Sequence, residues 1–238
     1  GFAPLWSAPP DKFAYGYGPS FARILGGPDA FLLYAFGVSA WSKYRFTDTT
    51  WLNAGVNYRL LDNYNKFKYT APSNLPRVRT YQREFVTSSR ITIPDFQVTH
   101  LKRLSDDQYM TFYAGILEQQ FSGVGSEWMY RPWNSNLAFG IDVNRVQQRD
   151  FDQNFKSRGY SVNTGHATLY WDTGWEGVFA NISAGQYLAG DRGVTVNLSR
   201  RFRNGVTMGA YATKTNVSAA EFGEGSFDKG LYFSIPFD

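Results

Sequence analysis

Val178-Phe-Ala-Asn-Ile-Ser-Ala184, Gly193-Val-Thr-Val-Asn-Leu-Ser199, Val206-Thr-Met-Gly-Ala-Tyr-Ala212 and Gly230-Leu-Tyr-Phe-Ser-Ile-Pro-Phe237 are the four segments that decide the fold. In each, apolar and polar residues alternate. Val178, Ile182, Val196, Leu198, Met208 and Phe233 fall on one side, and Asn181, Ser183, Thr195, Asn197, Tyr211 and Tyr232 on the other. A period of two is the signature of strands with one greasy and one wet face. The functional question is which solvent the greasy face meets, a protein core or lipid.

Composition narrows the choice. Aromatic residues reach 18%, with 16 Tyr, 20 Phe and 7 Trp, while charged residues are also only 18%, below the roughly 25% of globular domains. An aromatic-rich, charge-poor strand protein fits either a transmembrane barrel with interfacial aromatic girdles or a carbohydrate-binding sandwich. No run approaches the ~18 apolar residues of a spanning helix; Ala30–Ala40 is too short and continues into Lys43 and Arg45. With no cysteine, disulfides and thiolate metal sites are excluded. The net charge of +4 lacks the clustering of a nucleic-acid footprint, so no nucleic acid is expected. No signal peptide opens the sequence, so one is expected to have been removed or to lie outside this stretch.

Residues 1–29, rich in Pro and Gly, read as irregular, with Phe13–Gly18 the only short strand candidate. From residue 30 to 238 about eleven strands and no helix are expected, two of them at Gln108–Phe121 and Val124–Tyr130. The connections alternate: short turns near 47–50, 104–107, 131–135, 173–176 and 203–205, with every long one (62–89, 149–158, 216–227) on the opposite side. Outer-membrane barrels have this asymmetry, and Greek-key sandwiches have no reason to produce it. Strands of about 11–13 residues, tilted near 40°, span roughly 28–33 Å, enough for an apolar band of about 25 Å. The expected fold is an all-β, antiparallel, up-and-down transmembrane β-barrel of about 11–12 strands. Eleven strands cannot close antiparallel, so either Phe13–Gly18 adds a twelfth or part of the barrel lies beyond Asp238; the second is favoured. One turn is specified in detail. Phe202 opposes Val206 across three residues, with Gly205 left-handed, because a two-residue loop would put Arg203 and Val206 on one face.

Candidate chemistry is sparse. The loop Asp62–Ser89 carries Lys66, Lys68, Arg77, Arg79 and Arg83 interleaved with Tyr64, Phe67, Tyr69 and Tyr81. Guanidinium forks bind carboxylate or phosphate bidentately and aromatic rings stack on sugars. This loop is therefore a candidate surface for acidic polysaccharide or lipopolysaccharide phosphates, against the plainer reading of a solvated loop. Asp142, Asn144, His166, Tyr170, Asn181, Asn197 and Tyr211 are candidate lumen-lining residues. Val178, Ile182, Val196, Leu198, Met208 and Phe233 should face lipid, and Tyr34, Tyr44, Tyr58, Trp128 and Trp171 should form girdles. His100 and His166 have no carboxylate or second His at ligand spacing, so no metal, cofactor or catalytic triad is expected. Asp142 with Glu118 or Glu127 is the one carboxylate pairing that would suit glycoside cleavage.

Several longer strings are more specific than any of these. They are Leu60-Leu-Asp-Asn-Tyr64, Ala71-Pro-Ser-Asn-Leu-Pro-Arg-Val-Arg79, Tyr130-Arg-Pro-Trp133, Gly165-His-Ala-Thr-Leu-Tyr-Trp-Asp-Thr173, Tyr187-Leu-Ala-Gly-Asp191, Gly209-Ala-Tyr-Ala-Thr-Lys-Thr-Asn-Val217 and Phe222-Gly-Glu-Gly-Ser-Phe-Asp-Lys229. From about Gly27 to Asp238 the chain resembles the YjbH (GfcD-like) family, tied to exopolysaccharide and group 4 capsule production in Gram-negative bacteria. The resemblance implies a portion of the C-terminal half of longer lipoproteins that form outer-membrane β-barrels. It carries over no catalytic residue.

The expectation is therefore a non-enzymatic outer-membrane barrel assisting exopolysaccharide or capsule secretion, without cofactor. Its partners would be outer-membrane lipid and lipopolysaccharide, with acidic polysaccharide and other capsule proteins. The alternatives are a soluble periplasmic β-sandwich that binds carbohydrate, and a barrel enzyme acting on polysaccharide.

Overall fold

The computed structural model describes residues 11–25, 28–70, 81–218 and 227–236. Twelve strands follow one another: β1 (Phe13–Leu25), β2 (Leu32–Thr47), β3 (Thr50–Asp62), β4 (Ile91–Arg103), β5 (Gln108–Ile116), β6 (Phe121–Tyr130), β7 (Leu137–Arg149), β8 (Ser157–Asp172), β9 (Val178–Gln186), β10 (Arg192–Arg201), β11 (Thr207–Thr215) and β12 (Phe227–Ser234). They form one antiparallel sheet in sequence order, each strand bonded to the next. The all-β, up-and-down reading holds in that form.

The period-two residues explain the sheet. In register, Leu169, Ile182 and Val196 face one another across β8–β10, and Val196 continues to Ala212 on β11. Tyr170, Asn181, Asn197 and Tyr211 make the corresponding polar row. Ile182, Val196, Leu198, Met208 and Phe233 are 42–62% exposed, while the polar row is half-buried. The apolar side of the sheet is thus its open side. Val178, the sixth residue expected there, is half-buried on the same face opposite Arg200.

The sheet curls toward its polar face. Neighbouring strands lie ~4.8 Å apart, so β4 and β7 would be roughly 14 Å apart in a flat sheet. Yet the Arg149 guanidinium at the end of β7 donates to the carbonyl of Ile93 on β4 at 2.9 Å. The polar face is concave and the apolar face convex.

Four expectations need correction. The segment 1–29 is not irregular throughout, because Phe13–Leu25 is a full strand pairing β2 from Phe13↔Tyr44 to Leu25↔Leu32. This supplies the twelfth strand, and the sheet starts at residue 13 rather than 30. β5 ends at Ile116 and β6 begins at Phe121, because Leu117 and Glu118 amides both bond the Phe121 carbonyl and close the turn there. Gly115, at φ +137, is where the pairing of β5 with β4 ends, while the pairing with β6 continues to Ile116↔Ser122. Finally, the long connection after β3 holds a 3₁₀ turn at Tyr64–Lys66 and a short helix, α1 (Gln82–Thr87).

The turn after β10 is as expected. Phe202 N donates to Val206 O at 2.8 Å and Gly205 N to Phe202 O at 3.0 Å, with Gly205 at φ +82. The connections also sort by side. Those of 48–49, 104–107, 131–136, 173–177 and 202–206 share one end of the sheet, and 63–90, 150–156 and 216–226 share the other.

Candidate functional site: the concave wall and its cap

On the concave wall, aromatic rings are paired with glycines on the neighbouring strand. Trp41 lies over Gly16, Tyr113 over Gly125, Tyr170 beside Gly140, Tyr211 over Gly230 and Tyr232 over Gly209. A Cβ on Gly16 would come within 2.8 Å of three Trp41 ring atoms at once, so the ring rests flat on the missing side chain. Each glycine lets a ring lie along the wall instead of projecting from it, which leaves the second ring face turned into the concavity.

Polar groups fill the spaces between the rings. Tyr232 donates to Asn197 Oδ1 at 3.0 Å, and Tyr113 to Asn144 Oδ1 at 2.7 Å. Asn144 Nδ2 donates to Asp142 Oδ2 at 2.9 Å, and His166 Nδ1 sits 3.4 Å from the same carboxylate. Thr195 contacts Tyr187 at 2.6 Å and Thr213 at 2.8 Å. All seven candidate lumen-lining residues lie on this face, in two groups. Asp142, Asn144 and His166 form one bonded cluster on β7–β8. Tyr170, Asn181, Asn197 and Tyr211 form the row across β8–β11. His166 does have a carboxylate beside it; β7–β8 register brings Asp142 opposite, across a separation no spacing rule detects. His100, by contrast, faces outward and meets Thr50 Oγ1 at 2.8 Å.

Glu127 stands directly opposite Asp142 across β6–β7, whereas Glu118 is in the β5–β6 turn at the far end of the strands. Only the Glu127 pairing expected from sequence is brought together. Among the described residues no group of three or more potential ligands gathers to hold a metal ion.

At the end bearing the long connections, the concavity is capped. Tyr64 packs on Leu33 and Ala35 of β2, and Phe85 of α1 is fully buried against Phe151 with ring centroids 5.2 Å apart. Burial pushes the Tyr64 hydroxyl above the ordinary tyrosine range, against the opposing pull of the Arg59 guanidinium; the Asp62 carboxylate adds to the rise. Arg149 ties the cap down. It donates to the carbonyls of Gln119 (3.0 Å), Ile93 (2.9 Å), Gln153 (2.6 Å) and Asn154 (3.1 Å), while Gln153 Nε2 donates to Phe85 O at 2.6 Å. Arg59 Nη1 donates to Val86 O. Beneath lies a cavity of about 430 Å³, lined by Ser20, Asn57, Arg59, Tyr64, Gln119 and Gln153 among others.

The basic loop is thus only partly a solvated surface. Lys66, Lys68 and Tyr69 are exposed, with the Lys68 and Tyr69 amides both anchored on Asp29 Oδ2. Arg83 reaches back to Lys68 O at 3.3 Å, so Lys68 and Arg83 are brought together. Arg77 and Arg79 lie outside the described residues, as does most of the 216–227 loop. Sequence reasoning missed the cap residues Phe85, Arg149 and Gln153. It also placed Tyr113 and Tyr187 at no site. The signal for Tyr113 was weak because the strand pattern is poorest around Tyr109–Leu117, and Tyr187 falls just past the end of β9.

The convex face carries its own order. Trp128, Tyr130, Phe139 and Trp171 gather near the end with short turns; Trp128 packs edge-on to Phe139 at 6.2 Å. Tyr34, Tyr44 and Tyr58 lie on the same outward face of β2–β3.

A twelve-stranded meander with an apolar convex face and an aromatic, hydroxyl-rich concave face defines the class of molecule: a curled β-sheet wall. The chain belongs to the YjbH family, described as "Exopolysaccharide biosynthesis protein YbjH", whose model matches residues 2–238. It is 41% identical over 240 residues to the "Uncharacterized lipoprotein YjbH" of Escherichia coli strain K12, covering 98% of this chain and 34% of that protein. The chain therefore spans about a third of that relative's length. Among solved structures it is similar to a loop L8 deletion mutant of OmpT, an outer membrane protein of Vibrio cholerae. Identity there is 11%, over 94% of this chain and 87% of that one, with a TM-score of 0.40. In-vitro folded OmpT from the same organism matches at 11% identity, over 93% and 79%, with a TM-score of 0.38.

Proposed function

We propose that this chain forms an outer-membrane β-barrel wall that assists production or secretion of an exopolysaccharide, without catalysing a reaction on it. The convex face carries the reading. Leu169, Ile182, Val194, Val196, Leu198, Met208, Leu231 and Phe233 form a continuous apolar surface that is exposed in the folded chain. In water a patch of that extent drives association, whereas a bilayer covers it. A soluble sandwich would bury the same residues between two sheets. Twelve strands also leave β1 and β12 running in opposite directions, as closure of an antiparallel barrel requires. Long connections then mark the outer side.

The concave wall supports the substrate class. Flat rings of Tyr113, Tyr170, Tyr211 and Tyr232, framed by Asn144, Asn181 and Asn197, offer stacking faces and amides to sugar hydroxyls. Acidic polysaccharide would meet Lys66, Lys68 and Arg83 at the capped end. Other proteins of capsule or exopolysaccharide production are the expected partners, and nucleic acid is not among them.

Cell fractionation of the full-length protein provides the test. It should extract with outer-membrane detergent fractions and migrate faster on a gel before heating than after. Recovery in periplasmic fluid, with no heat-dependent shift, overturns the membrane reading. Replacing Tyr211 and Tyr232 with Ala should lower exported polysaccharide at unchanged protein level; unaltered export removes the role given to the wall.

A further inference from the structure

The convex face changes character at the end with long connections. Reading β7–β12 toward that end, the apolar positions give way to Arg145, Gln147, Ser161, Asn163, Gln186, Arg192, Lys214 and Lys229. No Asp or Glu occupies an outward position on any of these strands.

The partners of these cations are unusual. Near the opposite end, two exposed arginines have carboxylate partners: Arg103 meets Asp106 at 2.7 Å, and Arg200 meets Glu176. Arg145 instead donates to Asn163 Oδ1 and Ser161 Oγ, each at 3.1 Å, and Arg192 to Gln186 Oε1 at 3.1 Å. Among the described residues no acid pairs with either, and none pairs with Lys214. Amide and hydroxyl partners orient a guanidinium without cancelling its charge, so these groups are positioned but not neutralised.

Register brings them into reach of common ligands. Arg192 is paired through Asn216, whose side-chain oxygen accepts from the Arg192 amide at 2.8 Å. Lys214 lies two residues from Asn216, which makes it a diagonal neighbour of Arg192 at about 7–8 Å. Two like charges at that separation on a lipid-facing wall repel unless an anion lies between them. Arg145 stands three strands away, roughly 14 Å at 4.8 Å per strand, and one step higher in the register.

We infer that Arg145, Arg192 and Lys214 form a phosphate-binding collar for lipopolysaccharide, holding the two phosphates of its lipid A disaccharide. The acyl chains would lie on the apolar convex face directly below. A disaccharide with a phosphate at each end spans the separation between Arg145 and the Arg192–Lys214 pair. The inference rests on the membrane reading proposed above, and it names a partner for the wall's outer side.

The test uses the full-length protein purified in detergent, with bisphosphorylated lipid A, dephosphorylated lipid A and phosphatidylglycerol as probes, bound lipid being counted by native mass spectrometry. Wild type should retain bisphosphorylated lipid A. Removing the phosphates, or making Arg145→Gln, Arg192→Gln and Lys214→Gln together, should weaken binding by on the order of a hundredfold. Arg103→Gln with Arg200→Gln should leave it unchanged. Undiminished binding by the triple variant, equal loss in the control variant, or equal retention of phosphatidylglycerol overturns the collar. Heat-dependent gel migration is scored in parallel. Its absence in wild type is failure of the membrane reading, whereas its presence with unaltered lipid binding is failure of the collar alone. Should the triple variant not fold, Lys214→Gln decides by itself, since it removes no side-chain hydrogen bond among the described residues; wild-type binding there also overturns the inference.

Discussion

At Gly209 the side chain that is absent does the structural work. A Cβ there would collide with the Tyr232 ring, whose hydroxyl donates to Asn197 on β10. Gly209→Ala should therefore force the ring off the wall and cost about 1–3 kcal/mol, the usual penalty of overpacking. Urea denaturation in detergent would measure it. In the double variant with Tyr232→Ala the penalty should largely vanish, because the obstructed ring is gone; a purely additive double variant would show that ring and glycine are uncoupled. The same logic explains why 23 glycines are affordable in a strand-rich chain. Several of them are half of a two-residue contact whose other half is a ring, a pairing invisible until register is known.

Within the strands, the two faces should respond oppositely to charge. Val196→Arg places a cation on the convex band and should cost about 2–4 kcal/mol near a bilayer midplane. Asn181→Arg, on the concave row next to it in register, should fold with little loss. Thr195, which links Tyr187 and Thr213, is the poorer control because its hydroxyl is engaged on both sides. Equal stability of the two variants in heat-dependent migration would count against lipid on the convex side. The cap makes a separate prediction. Arg149→Met strips the donor from four backbone carbonyls, and buried polar groups left unpaired cost about 1–3 kcal/mol each at most. Trypsin should then cleave at Arg83 or Arg90 markedly faster, with strand content unchanged by circular dichroism. The alternating strands and the Phe202–Val206 turn were legible in the sequence because a period of two and a left-handed glycine are local signals. The cap was not, since Phe85, Arg149 and Gln153 meet across 64 to 68 residues of chain and none belongs to a periodic pattern. β1 was hidden by Pro19 and two glycines, Gly16 and Gly18, within one strand, a composition that reads as loop although an edge strand tolerates it.

For the whole molecule, closure is the decisive quantity. Residues 1–238 contain no cysteine of their own to compete with cysteines introduced among them. Cysteines introduced pairwise along outward positions of β1 (Tyr15, Tyr17) and β12 (Leu231, Phe233) of the full-length protein should yield at least one oxidised pair within a single chain if these edges meet. If every pair stays reduced, β1 and β12 each border something else, and the wall is wider than twelve strands. The strict meander also bears on how such a wall can be enlarged or reduced. Every strand bonds only its sequence neighbours, so one hairpin is a unit that can be gained or lost with two strands at a time, leaving all other registers untouched and altering circumference in fixed steps. One stretch escapes this modularity. Arg149 fastens β7 to β4 across three hairpins, and Gln153 in the loop after β7 fastens it to α1, so β3 through β8 must be inherited as a block, and variation in strand number among homologous walls should fall outside it.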